Sequence, residues 1–354
     1  MSPLNFARAI TSVTLSGLVL VGLLVVLLQG PAAVVPALDA FLTGVVGGPT
    51  AIGATVGKLT PILFIAVAAT VAFRAGLFDV GQIGQYVFGA AAAGIVAPAC
   101  PGPGLLVIVV TMAAGVAAGA AWSVVTHALT RLTGLDLIVL SLVANYLADG
   151  LARLLVRTTF QDPDAFSVIA TRQVPEHAWL PLVLQRTSFH VGIFVALAAF
   201  IVVAVVYRRH QWGHRTRMFG LNPVAAELNG VSPTVFERQV LSVSGGICGL
   251  AGAVQVLGVF HRYQDGAFGG SASIAWSGLT AAILVTSGVV AVLPMATMLA
   301  VLSTGFVGIQ RDLGVSAGLG SLLQGVVIIA AAVALRARSE PTRPRRRPQE
   351  TSRD

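Results

Sequence analysis

The feature that most constrains this chain is the length of its uncharged segments. Residues 80–130 contain no Asp, Glu, Lys or Arg, and residues 9–38 are equally free of them. About 20 apolar residues cross a bilayer as a helix, whereas a soluble protein needs about 25% charged residues to solvate its surface. Here 10% of the residues are charged and 56% are hydrophobic. We therefore predict an all-α integral membrane protein.

The apolar segments predict about ten membrane crossings. The uncharged segment 80–130 should supply two of them, because Pro and Gly at 98–103 interrupt it with a tight turn. The segment 266–310 should supply an eighth and a shorter ninth crossing, separated near 288–294. Broken or re-entrant segments are expected, and ten crossings are compatible with two repeats of five helices. The other predicted crossings are 9–28, 59–73, 135–156, 189–207, 239–260 and 319–335.

The distribution of basic residues predicts the orientation of the chain. Ten crossings place both termini on one side, and with the termini inside, fifteen Lys and Arg residues are cytoplasmic and seven external. Positive residues concentrate on the cytoplasmic side of membrane proteins. We therefore predict a transmembrane domain at 1–338 with both termini cytoplasmic, a cytoplasmic loop at about 208–238 and a disordered basic tail at 339–354.

The location of the net charge argues against a nucleic-acid partner. Residues 336–354 carry seven arginines against three acids, which is about half of the net charge of +8. Such a tail is expected near anionic lipid headgroups. The sequence has no phosphate-binding glycine loop, zinc-protease motif or serine-nucleophile motif, and Cys100 and Cys248 are not spaced as a metal or disulfide pair. We predict neither an enzyme nor a metal site.

A glycine-rich interruption at 73–85 is the strongest functional signal. Three glycines in this segment, Gly76, Gly81 and Gly84, disfavour a continuous helix. Backbone groups freed at membrane depth must face protein or a water-lined cavity, and such interruptions mark binding sites or gates in transporters. An ordinary turn is the alternative interpretation. A second interruption, at 266–273, follows the corresponding crossing of the second half. The candidate residues of the first are Asp79, Gln82 and Gln85.

The fifth predicted crossing carries polar residues at intervals of four, namely Ser141, Asn145, Asp149 and Arg153. They share one helical face, which should turn inward or towards a channel because polar groups facing lipid are unfavourable. Asn145 lies deepest, so we predict that Asn145 and Ser141 line a substrate path. Asp149 and Arg153 are interpreted as a structural pair near the outer surface.

The cytoplasmic loop contains a short helix with clear start and stop signals. Asn222 followed by Pro223 suits the first turn of a helix, and Gly230 suits its end. We expect a helix of about two turns, on which the small residues Ala225 and Ala226 allow a partner to pack closely. A solvated connector is the alternative.

Three segments together resemble a known family. Residues 73–85, 136–147 and 219–231 are similar to the motifs FRAGLFNIGxEGQ, NEVIxTxxLNYI and GxNPxAAxxxGI of the ABC importer permeases that handle branched-chain amino acids, ribose and nucleosides. The resemblance covers about 59–335 and is nearest the nucleoside or simple-sugar permeases. Departures include Asp79 where the family usually has Asn, and Ile83 where it has Glu. The family's LGRxHPxG motif is also replaced here, by residues 284–290.

The resemblance implies an ATP-driven importer with several subunits. Two permease subunits would join two ATPase subunits that bind ATP and Mg²⁺, and an external lipoprotein would deliver substrate. The departures imply that the second permease subunit differs from this one and keeps the family residues. A ribose or branched-chain amino acid permease is one alternative. An ion-coupled secondary transporter is another alternative. That class is expected to have charged residues at membrane depth for ion coupling, and Asp79 is the one acid in the deep apolar segments. The loop helix would be the coupling helix that binds the ATPase, with Gly220, Asn222, Pro223, Ala225, Ala226 and Gly230 as its family residues.

Overall fold

The protein forms a bundle of helices. A computed structural model describes residues 34–314 apart from 166, 270–273 and 286–287, together with positions 32, 316 and 325. The predicted crossings at 9–28 and 319–335 and the tail at 339–354 lie outside the described residues. Within the described part there are eleven α-helices and no β-strand. They are α1 (Val34–Val46), α2 (Pro49–Arg74), α3 (Gln82–Ala99), α4 (Gly104–Thr133), α5 (Leu137–Leu155), α6 (Gly192–Arg209), α7 (Gln211–Leu221), α8 (Pro223–Leu228), α9 (Pro233–Gln255), α10 (Ala275–Leu284) and α11 (Val292–Leu313).

Six helical segments of the described chain are long and apolar enough to cross a membrane, which indicates a multi-pass membrane protein. The helix break predicted at 98–103 is present between α3 and α4. The predicted all-α membrane class is therefore confirmed, while the full count of ten crossings stays a prediction. The six segments are Pro49–Arg74, Gly104–Thr133, Leu137–Phe160, Gly192–Arg209, Pro233–Phe260 and Val289–Leu313.

The second predicted crossing is wrong at its start. We placed it after Lys58, but α2 begins at Pro49 and contains Lys58 in its interior. The Lys58 ammonium donates hydrogen bonds to the carbonyl of Ser303, at 2.8 Å, and to its hydroxyl, at 3.1 Å. A lysine need not end an apolar helix when a neighbouring helix provides acceptors for its ammonium group.

The relative lengths predicted for the eighth and ninth crossings are also wrong. Helix α10 has 10 residues and α11 has 22. At 1.5 Å per residue α10 is about 15 Å long, about half of the hydrocarbon thickness. Its Gly278 lies against Ile62 and Ile65 in the middle of α2. Helix α10 is therefore a half-length helix that begins inside the bundle, as expected of a broken crossing.

Glycines bring three helices into close contact at the centre of the bundle. Helix α9 packs against α3 and α4, and Gly249 lies directly against the backbones of Gly89 and Gly115. On the next turn Gly245 meets Gly119 in the same way. Small residues allow helix backbones to approach closely in membrane proteins, where lipid provides no hydrophobic force between helices. These contacts fix the position of α3, which carries the candidate site.

We expect Gly249→Leu to abolish stable folding, because any side chain there collides with the backbone of α4 at Gly115 and Gly119. Gly150→Leu is a matched control, since Gly150 is exposed on a membrane helix and has no atom within 4 Å of the space that a Cβ would fill. The measurement is the amount of monodisperse protein recovered in detergent. Equal recovery of the two variants would contradict the packing described here.

The bundle has two distinct ends. At one end α7 crosses the carboxyl end of α2, and Gly220 lies directly against the carbonyl of Arg74. We call this the α7–α8 end. At the other end Gly104, at the start of α4, lies against His177, and the amide of Leu180 donates to the carbonyl of Leu257 at 3.0 Å. The segment between α2 and α3 lies nearer the α7–α8 end.

Candidate functional site

The first candidate site is the non-helical segment between α2 and α3. Helix α2 ends when Gly76 adopts a φ of +74°, and the amide of Leu77 donates back to the carbonyl of Ala72 at 3.1 Å. This is a left-handed glycine termination. The chain then runs without regular structure until α3 begins at Gln82. The predicted interruption of the helix at 73–85 is present.

Asp79 is buried in this segment, with 2% of its surface exposed. One carboxylate oxygen accepts from the amide of Gly81 and the other from the side-chain amide of Gln85, both at 2.8 Å. The carboxylate thus lies at the amino end of α3, where free amides and the helix dipole stabilise a negative charge. Asp79 therefore orders the start of α3.

Ser141 and Asn145 hold the same segment from α5. The Ser141 hydroxyl accepts from the amide of Val80 at 3.1 Å. The Asn145 side chain accepts from the amide of Gly84 at 2.8 Å and donates to the carbonyl of Val80 at 2.9 Å. Both residues are buried and face the interior. Their polar atoms are bound to the backbone of this chain, so the structure gives them a positioning role, and direct contact with substrate stays a prediction.

Gln82 and Gln85 provide polar atoms that nothing in the described chain satisfies. Gln82 is fully buried, and neither its amide oxygen nor its nitrogen has a hydrogen-bond partner among the described residues. The same is true of the Gln85 oxygen and of the indole nitrogen of Trp122, which lies beside Gly84. Buried polar groups are nearly always hydrogen-bonded. Unsatisfied ones at a broken helix are the groups most available to a solute.

The predicted Asp149–Arg153 pair is present, with 3.5 Å between the nearest side-chain atoms. Arg153 also contacts Asp265, at 2.9 Å. The sequence spacing predicted the first contact but not the second, because Asp265 is distant in the chain. These ion pairs tie α5 to the segment that precedes α10, and Gly269 lies directly against Asp149. The predicted interruption at 73–85 and the described part of the one at 266–273 thus both pack against α5.

The second candidate site is the short helix α8. The Asn222 side chain accepts from the amide of Ala225 at 3.1 Å, and Pro223 occupies the first helical position. Gly230, with a φ of +82°, ends the turn, and the amide of Val231 donates to the carbonyl of Ala226 at 3.1 Å. The predicted start and stop signals are both present.

The face of α8 that we assigned to a partner is partly wrong. Ala226 is 0% exposed and belongs to the core of this chain, so it cannot receive a partner. The exposed apolar side chains are Leu221, Val224 and Leu228, with 81%, 66% and 84% of their surface accessible. Val224 and Leu228 are four residues apart and share one face of α8, whereas Leu221 is the last residue of α7, before the extended Asn222. That spacing, in a loop outside any crossing, was the signal that the sequence analysis missed.

Comparison with known proteins decides the family. The sequence model of the family described as branched-chain amino acid transport system / permease component matches residues 51–332. The chain belongs to this permease family. This confirms the family resemblance drawn from the three motifs, and permease subunits of ABC transporters are not themselves enzymes.

Three characterised relatives cover most of this permease. It is 27% identical to the guanosine ABC transporter permease protein NupP of Bacillus subtilis, over 87% of this chain and 88% of the relative. It is 24% identical to the nucleoside ABC transporter permease protein NupB of Lactococcus lactis, over 77% of each. It is 26% identical to the glucose ABC transporter permease protein TsgB13 of Haloferax volcanii, over 77% of this chain and 73% of the relative. No solved structure matches the permease.

Proposed function

We propose that this chain is the permease subunit of an ATP-driven importer of nucleosides. The observation that carries the proposal is the similarity to the guanosine permease along 87% of this chain. In the proposed complex an external lipoprotein delivers the nucleoside, and a second permease subunit, different from this one, completes the path. Two ATPase subunits bind and hydrolyse ATP with Mg²⁺.

The substrate path is proposed to pass the start of α3. Gln82 offers an amide and Gln85 an amide oxygen, which match the donor and acceptor groups of a nucleoside base and ribose, and Asp79 would hold Gln85 in place through their hydrogen bond. The unsatisfied Gln82 amide supports this assignment. Ser141 and Asn145 would hold the backbone of the path in place through their hydrogen bonds to Val80 and Gly84.

Helix α8 is proposed as the coupling helix that docks on the ATPase. Its support is the exposed apolar face of Val224 and Leu228 on a capped helix outside every apolar crossing, with Leu221 exposed beside it at the end of α7. In this arrangement the α7–α8 end is cytoplasmic, in agreement with its arginines. We also propose ten crossings, arranged as two repeats, with both termini cytoplasmic. In this arrangement α10 and the segment before it form one broken crossing.

A sugar permease is the second candidate function. The relative from Haloferax volcanii is named a glucose permease and covers the same share of this chain as the nucleoside relative from Lactococcus lactis. A ribose substrate falls in the same class. The family description also includes branched-chain amino acids. An ion-coupled transporter is less favoured, because it has no use for a helix with the exposed apolar face of α8.

Uptake of radiolabelled guanosine tests the proposal. The chain is co-expressed with its second permease, ATPase and lipoprotein in cells that lack nucleoside uptake. We expect guanosine uptake that excess unlabelled nucleosides suppress and that glucose, ribose and leucine leave unchanged. Suppression by glucose or ribose would assign a sugar substrate instead, and suppression by leucine an amino acid. Uptake that persists with a hydrolysis-deficient ATPase would contradict ATP-driven transport.

A further inference from the structure

An apolar groove runs along the outside of the bundle between α2, α6 and α9. It has a volume of about 670 Å³, and its walls include Val71, Val202 and Ile247. Three of its described lining residues have polar side-chain atoms, namely Tyr207, His210 and Trp212, and the others are aliphatic. Because α6 is one of the membrane-crossing segments and Val202 is 59% exposed, the groove opens towards the hydrocarbon of the bilayer.

A basic pocket adjoins this groove at the α7–α8 end. It has a volume of about 510 Å³ and shares Tyr207 and His210 with the groove, so the two cavities meet at these side chains. No acidic side chain is among its described lining residues, and none of its arginines forms an ion pair within the described chain. The arginines that line it are Arg208, Arg209, Arg215 and Arg217.

The junction between the two cavities is well defined. The Tyr207 hydroxyl donates to the carbonyl of Val71 at 3.1 Å, and its ring meets Trp212 edge to face, with 5.9 Å between centroids. The Nδ1 atom of His210 accepts from the amide of Trp212 at 3.1 Å. In a neutral imidazole with Nδ1 as acceptor, the hydrogen is on Nε2 and can be donated to another group. Tyr and Trp are the side chains typical of the level of lipid headgroups.

We propose that this composite site binds an anionic phospholipid. An acyl chain lies in the apolar groove, and the phosphate lies among the four arginines, whose planar guanidinium groups bind phosphate oxygens in pairs. Basic pockets between membrane helices on the cytoplasmic side are suited to anionic headgroups. The proposal rests on the membrane location of the chain and not on the identity of the transported solute.

Charge complementarity favours a lipid over another part of the chain. The apolar segments outside the described residues, 9–28 and 319–335, contain no acidic residue, and the tail at 336–354 has seven arginines against three acids. Either apolar segment could fill the groove, but neither could neutralise the arginines beside it. A phospholipid joins an apolar acyl chain, which suits the groove, to a negative phosphate, which suits the adjoining basic pocket. Because α7 leads directly into α8, a lipid bound here would fix the base of the proposed coupling helix.

Native mass spectrometry of the purified full chain tests the proposal. Phosphatidylglycerol and phosphatidylcholine with identical acyl chains are added in equal amounts to the protein in detergent. We expect about tenfold or greater preference for phosphatidylglycerol. The variant with Arg208, Arg209, Arg215 and Arg217 all replaced by Gln should lose this preference. The matched control replaces four arginines at the opposite end with Gln, and should keep it: Arg157, Arg172, Arg186 and Arg262.

A second variant tests the groove separately from the charge. Ala198→Trp should fill part of the groove and reduce retention of phosphatidylglycerol, although every arginine remains. This single variant also keeps the proposal testable if the fourfold variant does not fold. An excess of inorganic phosphate should not displace the lipid. Equal retention of the two lipids, retention by the fourfold variant, displacement by phosphate, or cross-linking of position 198 to 9–28 or 319–335 would each overturn the proposal.

Discussion

Leu228→Glu is expected to abolish transport while leaving the permease folded in the membrane. Leu228 is 84% exposed and takes no part in the core, so its replacement leaves the described packing unchanged. If α8 docks in an apolar groove of the ATPase, the new carboxylate is buried there without a partner. An unpaired buried charge costs several kcal/mol, which is enough to release the ATPase. Co-purification of the ATPase with the tagged permease measures this directly.

Two further variants make the result specific. Leu132→Glu alters a leucine that is 82% exposed at the same end of the bundle but lies on α4, and the ATPase should remain bound. Ala226→Arg should reduce the amount of folded permease, because Ala226 is fully buried in the permease itself. Normal transport by Leu228→Glu would show that α8 is only a connector, and equal loss of the ATPase in the Leu132 variant would show that the effect is not specific to α8.

Helix α8 shows which part of a site a sequence can specify. The Asn-Pro start and the Gly end are local signals, and each acts through the backbone of its own turn, so the helix was predicted correctly. The orientation of the helix depends on what lies beneath it. The helix has six residues, and both its alanine face and its face with Val224 and Leu228 could have been the contact surface. Only the packing of Ala226 into the core shows which face points outward.

The membrane crossings show a similar limit. Proline and glycine mark the break between α3 and α4, because they act locally on the backbone. The sequence likewise marked interruptions at 266–273 and near 288–294, before α10 and before α11, but it did not indicate that α10 is the shorter of the two helices. Lys58, in contrast, indicated a helix boundary where the structure has none. A charge normally ends a crossing, but here Ser303, which is distant in the sequence, provides the acceptors.

The polar stripe of α5 was predicted to face inward, and its members Ser141 and Asn145 are buried, whereas Arg153 is exposed. The sequence could not identify the partners of Ser141 and Asn145, because these are backbone groups of residues 80–84, some sixty positions earlier in the chain. Side-chain type and spacing specify a polar face, whereas the irregular backbone that the face binds depends on the tertiary fold. For the same reason the unsatisfied amide of Gln82 is visible only in the structure.

Gln82→Leu and Asn145→Leu are expected to have opposite consequences for stability. Asn145→Leu leaves the buried amide of Gly84 and the carbonyl of Val80 without their partner. Each unsatisfied group costs about 1–3 kcal/mol, so the melting temperature and the membrane abundance should fall. Gln82→Leu removes polar atoms that have no partner among the described residues, so its stability should be unchanged or higher.

Uptake then separates a substrate contact from a structural role. If Gln82 binds the nucleoside in the path, Gln82→Leu should reduce uptake by about tenfold or more, since a solute group would be left without its hydrogen bond, while lipoprotein and ATPase binding persist. Thr111→Val is the matched control, because the Thr111 hydroxyl is also buried and without a partner in the described chain but lies on α4. Its uptake should equal that of the unaltered permease. Normal uptake by Gln82→Leu would remove Gln82 from the path, and a lowered melting temperature would show that its amide stabilises the fold.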